Sequence, residues 1–337
     1  LSKSKTMTAL QGLLADEEIK TLLSMFLLAN AKKNLSMCSF RLFGVEKPKE
    51  EEVWSTVVTV EDRKNAVEDE FGVKYSKDWK RLLKAPFELK GKYSIRKGVK
   101  VIGEHAFAFC NSLTIINIPN SVTTIGESAF AWCEFLTIIN IPNSVTLIGN
   151  SAFEGCECLI SINIPNSVTT IGDSAFSGCD SLASINIPNS ITTIGENAFC
   201  LCDSLTSINI PNSVTTIGDW GFGECVSLTS ITIPSSVVTI IGNPFCRWHG
   251  NLYNESKAFI YEDHVLFNKN KTTLIAYRAK ETSYTIPNSV TTIGDHAFSG
   301  CDSLTSINIP NSVTTIGEDA FSDCDSLTSI NIPNSVT

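Results

Sequence analysis

The chain has 337 residues, 43% of them hydrophobic, and a net charge of −9, which excludes general disorder and a strongly basic nucleic-acid binder. The charge is uneven. Residues 1–92 hold 17 basic and 14 acidic side chains and residues 93–337 hold 9 and 21, so the longer part repels phosphate backbones. No apolar run is long enough to span a bilayer, and the twelve cysteines include no C-x-x-C pair.

Residues 1–70 read as a helical N-terminal cap or spacer. Ile19, Leu22, Leu23, Phe26 and Leu27 follow the i, i+3, i+4 spacing of an amphipathic helix. Asp16 is suited to its N-cap, and Lys32 and Lys33 suit the dipole at its other end. The acids at 16–18 argue against a secretory signal in TLLSMFLLANA. Pro48 to Glu52 is a charged linker or helix start, and Thr59-x-x-Asp62 predicts a capped second helix reaching Glu70. The chain starts at Leu1 and stops inside a repeat at Thr337, as expected of a fragment or a processed form.

Residues 71–337 read as one repeat array, with 71–94 as a diverged first unit, 95–242 as regular repeats, 243–285 as an irregular unit and 286–337 as regular repeats again. An Ile-Pro pair returns every 23 residues at Ile118, Ile141, Ile164, Ile187, Ile210 and Ile233, and again at Ile286, Ile309 and Ile332. A fixed period of this length predicts a solenoid in which each coil buries its neighbour's apolar face. In the copy at Ile164, SLASINI ends in a period-two alternation, so Leu182, Ile185 and Ile187 face one way and Ser184 and Asn186 the other. Pro188 ends that strand, VTTI is a second extended stretch, and Asp173 is placed to cap a short helical turn over Ser174–Phe176 before Gly178 bends the chain back.

In the irregular unit, Phe259–Phe267 and Leu274–Tyr277 bracket Asn268–Lys271, which predicts a hairpin or a three-stranded elaboration. The diverged first unit shares its spacing: Tyr75 and Leu82 stand seven apart, as do Phe267 and Leu274, and Tyr93 precedes Ile95 as Tyr284 precedes Ile286.

The phrase IPxSVTxIGxxAFxxCxSLTxI resembles the BspA-like class of leucine-rich repeats over about residues 95–337, the irregular unit apart. The resemblance implies a leucine-rich repeat solenoid of stacked coils, with a parallel β-sheet on one face and short strands or helical turns on the other. It further implies a surface or secreted protein that binds a protein ligand, such as a host matrix or cell-surface protein, in adhesion. It assigns no binding residues.

Eight cysteines fall at one repeat position, three residues after the Phe, where free buried thiols acting as small hydrophobes are expected. His105 and His296 share a place filled elsewhere by Ser128, Ser174, Asn197 and Asp319, which reads as solvated surface. No catalytic, cofactor-binding or metal-binding motif stands out. The expectation is therefore a protein-interaction module and not an enzyme, with no cofactor, no nucleic acid and no membrane span. Its candidate surface is the outer sheet face, carrying Asn163, Asn186, Asn209, Ser184 and Ser207. The aromatics of the irregular unit, Trp248, Tyr253 and Tyr261, are candidate anchors. Ile115 and Ile138 add an apolar patch on the same face, placed near Trp132. The alternative is an intracellular, cytoplasmic scaffold without catalytic activity.

Overall fold

Each regular unit forms one coil with two short strands, as Ser184–Asn186 and Thr193–Ile194 do in one copy. Leu182, Ile185 and Ile187 are buried and Ser184 and Asn186 are exposed, as the alternation requires. A computed structural model describes residues 55–337. The helix expected over 16–33, the charged stretch at 48–52 and Cys38 lie outside the described residues.

Successive coils stack without slipping. Ser161 pairs with Ser184 and Ser184 with Ser207, while Asn163, Asn186 and Asn209 align in the next row but one. The first strands of the coils, from Gly91–Ser94 to Ser207–Asn209, make a six-stranded sheet, and Ser230–Ile233 pairs in parallel with Asn251–Asn254. The second strands, such as Thr124–Ile125, Leu147–Ile148 and Thr170–Ile171, form a parallel ladder on another face. Inside run stacked phenylalanines, Phe107, Phe130, Phe153, Phe176, Phe199, Phe222 and Phe245, with centroids 5.0 to 6.4 Å apart. Burying each ring contributes roughly 1.5–3 kcal/mol, available only when a neighbouring coil covers it.

The corner of the coil differs from expectation. Residues 174–178 form turns, not a helical turn, with Ser174 at φ 54° and Gly178 at φ 67°. The same two left-handed places recur in other coils, at His105 and Phe109, Ser128 and Trp132, and Asn197 and Leu201. The cause is that alternate amides reach the next coil: Ser174 N donates to Glu196 O at 2.7 Å, Phe176 N to Ala198 O at 3.0 Å and Gly178 N to Cys200 O at 2.8 Å. A left-handed residue costs about 1–2 kcal/mol, and the ladder bonds and buried rings on either side offset it. Asp173 does not cap its own turn. Its Oδ1 accepts from Glu196 N in the next coil at 3.0 Å, as Asn150 Oδ1 accepts from Asp173 N.

Thr59 caps the helix Val60–Lys64 in a complete capping box with Asp62. That helix stops at Lys64 and does not reach Glu70. Strand Val67–Glu68 follows, and Asp69 Oδ1 accepts from Phe71 N and Val73 N, folding 69–73 into a turn through Gly72 at φ 77°. The β structure therefore begins at Val67, ahead of the expected Phe71.

Two antiparallel meanders punctuate the chain. One comprises Val67–Glu68, Lys74–Tyr75 and Arg81–Lys84; the other comprises Phe259–Glu262, Val265–Asn268 and Thr273–Tyr277. Tyr75 pairs with Leu82 as Phe267 pairs with Leu274, and the last strand of each meander then runs parallel to the next coil, Leu82 beside Ile102 and Leu274 beside Ile293. The internal meander divides the core. Leu266, Ile275 and Ala276 pack with the coils before it, and Val265, Phe267, Leu274 and Tyr277 with those after it.

Candidate functional site

The sheet face is built by strands whose outward residues are fixed by the register. One row runs Asn117, Asn140, Asn163, Asn186 and Asn209; beside it run Ile115, Ile138, Ser161, Ser184 and Ser207. Asn163, Asn186, Asn209, Ser184 and Ser207 are all exposed. Asn117 Nδ2 donates to Ser94 Oγ at 2.9 Å. Among the described residues, no side-chain hydrogen bond joins the amides of Asn140, Asn163, Asn186 and Asn209 to one another, so their donors and acceptors face outward. A shallow depression lined by Asn189, Asn209, Pro211 and Ser213 borders this strip.

The irregular unit adds one of its three candidate anchors to the face. Tyr253 pairs with Thr232, continues the asparagine row and is 56% exposed. Trp248 is 2% exposed, and its Nε1 donates to Leu228 O at 2.7 Å. It belongs to the core, where it fills the space left when the regular coil is interrupted. Tyr261 is half-buried against that core, with its ring 6.4 Å from His264. Arg278 packs over Trp248 at 4.3 Å and donates to the carbonyls of Trp248 and Gly250, each at 2.8 Å. Burial lowers its pKa, partly offset by Tyr261.

Trp132 is also buried, against Gly155, where a Cβ would meet the indole at 2.5 Å. Phe135, three residues before Ile138, and Ile160, directly before its partner Ser161, are 55% and 57% exposed. Phe135 and Ile160 break the repeat pattern, since the corresponding places hold Cys158 and Thr137. That departure was the signal available in the sequence.

The shared histidine position is not uniformly solvated. His105 keeps part of its side chain open to solvent, and desolvation of the rest by the surrounding coils outweighs Glu104 and Glu127 to lower its pKa. His296 is half-buried. Its Nδ1 lies 2.9 Å from Asp219 Oδ2 in an ion pair, and its Nε2 lies 3.8 Å from Asp319 Oδ2. Desolvation pulls its pKa down, but Asp219, Asp319 and Asp295 together raise it. Arg247 makes a second link, to Glu224 at 3.3 Å and Asp323 at 2.8 Å.

The ladder thiols are free, and those of the regular coils from Cys133 to Cys225 donate to a Phe carbonyl of the preceding coil, Cys133 to Phe107 at 3.1 Å and Cys179 to Phe153 at 3.3 Å, whereas Cys110 donates to Pro86 O and Cys301 to Tyr277 O. Burial pushes Cys110 and Cys225 up to about 12, so these two thiols are poor nucleophiles, whereas the hydrogen bond with Cys301 lowers Cys324. Among the described residues, no group of three or more His, Cys, Asp or Glu is placed to hold a metal.

Residues 91–205, 123–251 and 275–337 match the BspA type leucine rich repeat region, in six copies. The chain belongs to this family. A leucine-rich cell surface protein from Faecalibacterium prausnitzii has a similar solved structure, with 30% identity, TM-score 0.62, and coverage of 81% of this chain and 83% of that one. A leucine-rich repeat protein from Eubacterium ventriosum is 26% identical with TM-score 0.53, over 73% of this chain and 63% of that one. One from Bacteroides ovatus is 27% identical with TM-score 0.45, over 81% and 74%. No curated protein matches the chain. Like other BspA-type repeats, this array is a solenoid with one broad sheet face. Among the described residues, no helix is long and apolar enough to cross a membrane.

Proposed function

We propose that this BspA-type chain is a non-catalytic, adhesin-like binding module, secreted or displayed at a cell surface, that holds a protein ligand on its sheet face. The observation that carries this reading is the strip itself. Exposed amides and hydroxyls stand in register over successive coils with no charged side chain among them, and Tyr253 continues the row as an aromatic anchor. The strip is long and repetitive, which suits an extended contact more than convergence on one reacting atom. The cell-surface description of the Faecalibacterium protein supports the location, and the family resemblance supports a matrix or cell-surface ligand.

The intracellular scaffold is the second reading, favoured by the free thiols. Their burial protects them in either compartment, so they weigh little.

Retention of the purified chain on immobilised matrix proteins and on whole cells tests the first reading. Binding is expected and should be lost when Asn163, Asn186 and Asn209 are replaced by lysine, while the circular dichroism spectrum stays unchanged. Retention that survives those three changes contradicts a sheet-face contact, and no retention on any surface contradicts the adhesin role.

A further inference from the structure

Positive charge is gathered where the array begins. Residues 73–100 hold ten lysines and arginines against two acids, whereas residues 101–246 hold no lysine or arginine. Five of the ten meet on two stacked turns. Residues 76–79 and 96–99 are each closed by a backbone bond, Trp79 N to Ser76 O at 2.8 Å and Val99 N to Arg96 O at 3.4 Å. Lys100 N donates to Lys80 O at 2.7 Å, and the strands after the turns pair in parallel, Arg81 beside Val101. The Arg96 guanidinium lies 4.1 Å from the centre of the Trp79 ring, so it bridges the two turns. Lys77, Lys80, Arg96, Lys97 and Lys100 therefore share one corner, on coils about 5 Å apart.

That corner is not neutralised from within. Lys77, Arg96 and Lys97 are exposed, and Lys80 and Lys100 are half-buried. Among the described residues, the ammonium groups of Lys77, Lys97 and Lys100 have no hydrogen-bond or ion-pair partner. The carboxylates that share a depression with Lys77 are engaged: Asp62 with Arg81 at 2.8 Å, Glu61 with Asn65 at 2.6 Å and Asp78 with Ser76 Oγ at 2.6 Å. Like charges this close repel one another, and a bound polyanion relieves that repulsion.

The shape of the corner selects among polyanions. Its row is short: beyond Lys100 it continues as Thr123 and Thr146, and carboxylates begin at Glu104. A stiff nucleic-acid duplex lying along the array would meet those carboxylates. A single strand finds no free aromatic face on these turns, since Trp79 lies against Tyr75 and under Arg96. A bilayer presents one plane, but Lys92, exposed and paired with Ile115, carries the positive charge round the coil onto the sheet face. A slender, flexible chain of acidic sugars can follow that bend.

We propose that this corner binds a linear sulfated polysaccharide, whose anionic groups are reached by Lys77, Lys80, Arg96, Lys97 and Lys100. The site is separate from the asparagine strip and gives the module a second class of ligand.

The test is fluorescence anisotropy of a labelled heparin oligosaccharide titrated with the full chain. Binding is expected, and it should weaken as salt is raised. Lys77→Gln, Lys97→Gln and Lys100→Gln combined should weaken it at least about tenfold and flatten its salt dependence. These side chains hold no other group, so the circular dichroism spectrum should not change. Lys257→Gln, Lys269→Gln and Lys280→Gln remove the same charge from exposed places in the irregular unit and should leave binding as it was. The oligosaccharide stripped of its sulfates should not compete. No binding, equal loss from the two triple changes, or full competition by the desulfated chain overturns the proposal. Tighter binding to a single-stranded oligonucleotide of equal charge, or to phosphatidylserine vesicles, overturns it as well. None of these results touches the sheet-face reading, in which Asn163, Asn186 and Asn209 carry the contact.

Discussion

The meander at 67–84 and the meander at 259–277 share strand order, pairing and even the position of the register shift, yet one opens an array and the other joins two. The difference lies in one matched pair of cross-strand residues. In the first, Lys74 pairs with Lys84 and both are half-buried; in the second, the equivalent pair is Leu266 and Ala276, both fully buried against the preceding coils. Just after the last strand, Pro86 offers no N–H donor, while the equivalent Arg278 reaches back to three carbonyls, those of Phe245, Trp248 and Gly250. The same pleated element is an end or a splice according to whether this pair is charged or apolar.

Exchanging the residues of this pair breaks the comparison most severely. Leu266→Lys buries an unpaired ammonium at a cost of several kcal/mol. Urea unfolding followed by tyrosine and tryptophan fluorescence should then show two transitions in place of one. Lys74→Leu should change stability by no more than about 0.5 kcal/mol. Next in size is the reach-back. Arg278→Met should cost about 3 kcal/mol, because buried carbonyls lose a charged donor, whereas Pro86→Ala should stay under about 1 kcal/mol in the same denaturation experiment.

The thiols give a smaller contrast. Cys179→Ala removes a fully buried donor to Phe153 O and should cost about 2 kcal/mol. Cys301→Ala should cost less than half of that by calorimetry, because Cys301 is half-buried and its contact with Tyr277 O is 3.8 Å.

The smallest effect separates the two equivalent histidines by sign. His296 has a raised pKa, so its stabilisation is complete below the unfolded value and is lost as pH rises through the folded one. His105 has a lowered pKa, so its contribution is present above the unfolded value and is lost as pH falls. Thermal midpoints measured from about pH 5.5 to about pH 8 should show His296→Gln removing a low-pH advantage and His105→Gln relieving a low-pH deficit.

Much of this was legible in the sequence because a repeat constrains itself. The Ile-Pro spacing set the coil, the alternation in SINI set which side chains face out, and the seven-residue spacing shared by Tyr75–Leu82 and Phe267–Leu274 foreshadowed the matched meanders. What escaped involves bonds between coils, which no single unit displays. Asp173 looked like a cap because its partner, Glu196 N, is one period away. Residues 174–176 looked helical because the amides that leave for the next coil are invisible in the phrase SAF. The thiol bond to Phe153 O spans 26 residues and has no local mark. Trp248 looked like an anchor because an aromatic in a divergent stretch fits both a surface and a repair of the core. Only its buried indole and its bond to Leu228 O decide between them.

Hydrogen exchange by mass spectrometry on the Leu266→Lys chain tests most directly whether two stacked arrays meet at the internal meander. The structure predicts that the inter-coil amides of 292–316 lose protection while those of 113–217 keep it. Loss of protection along the whole chain, or none anywhere, would contradict it.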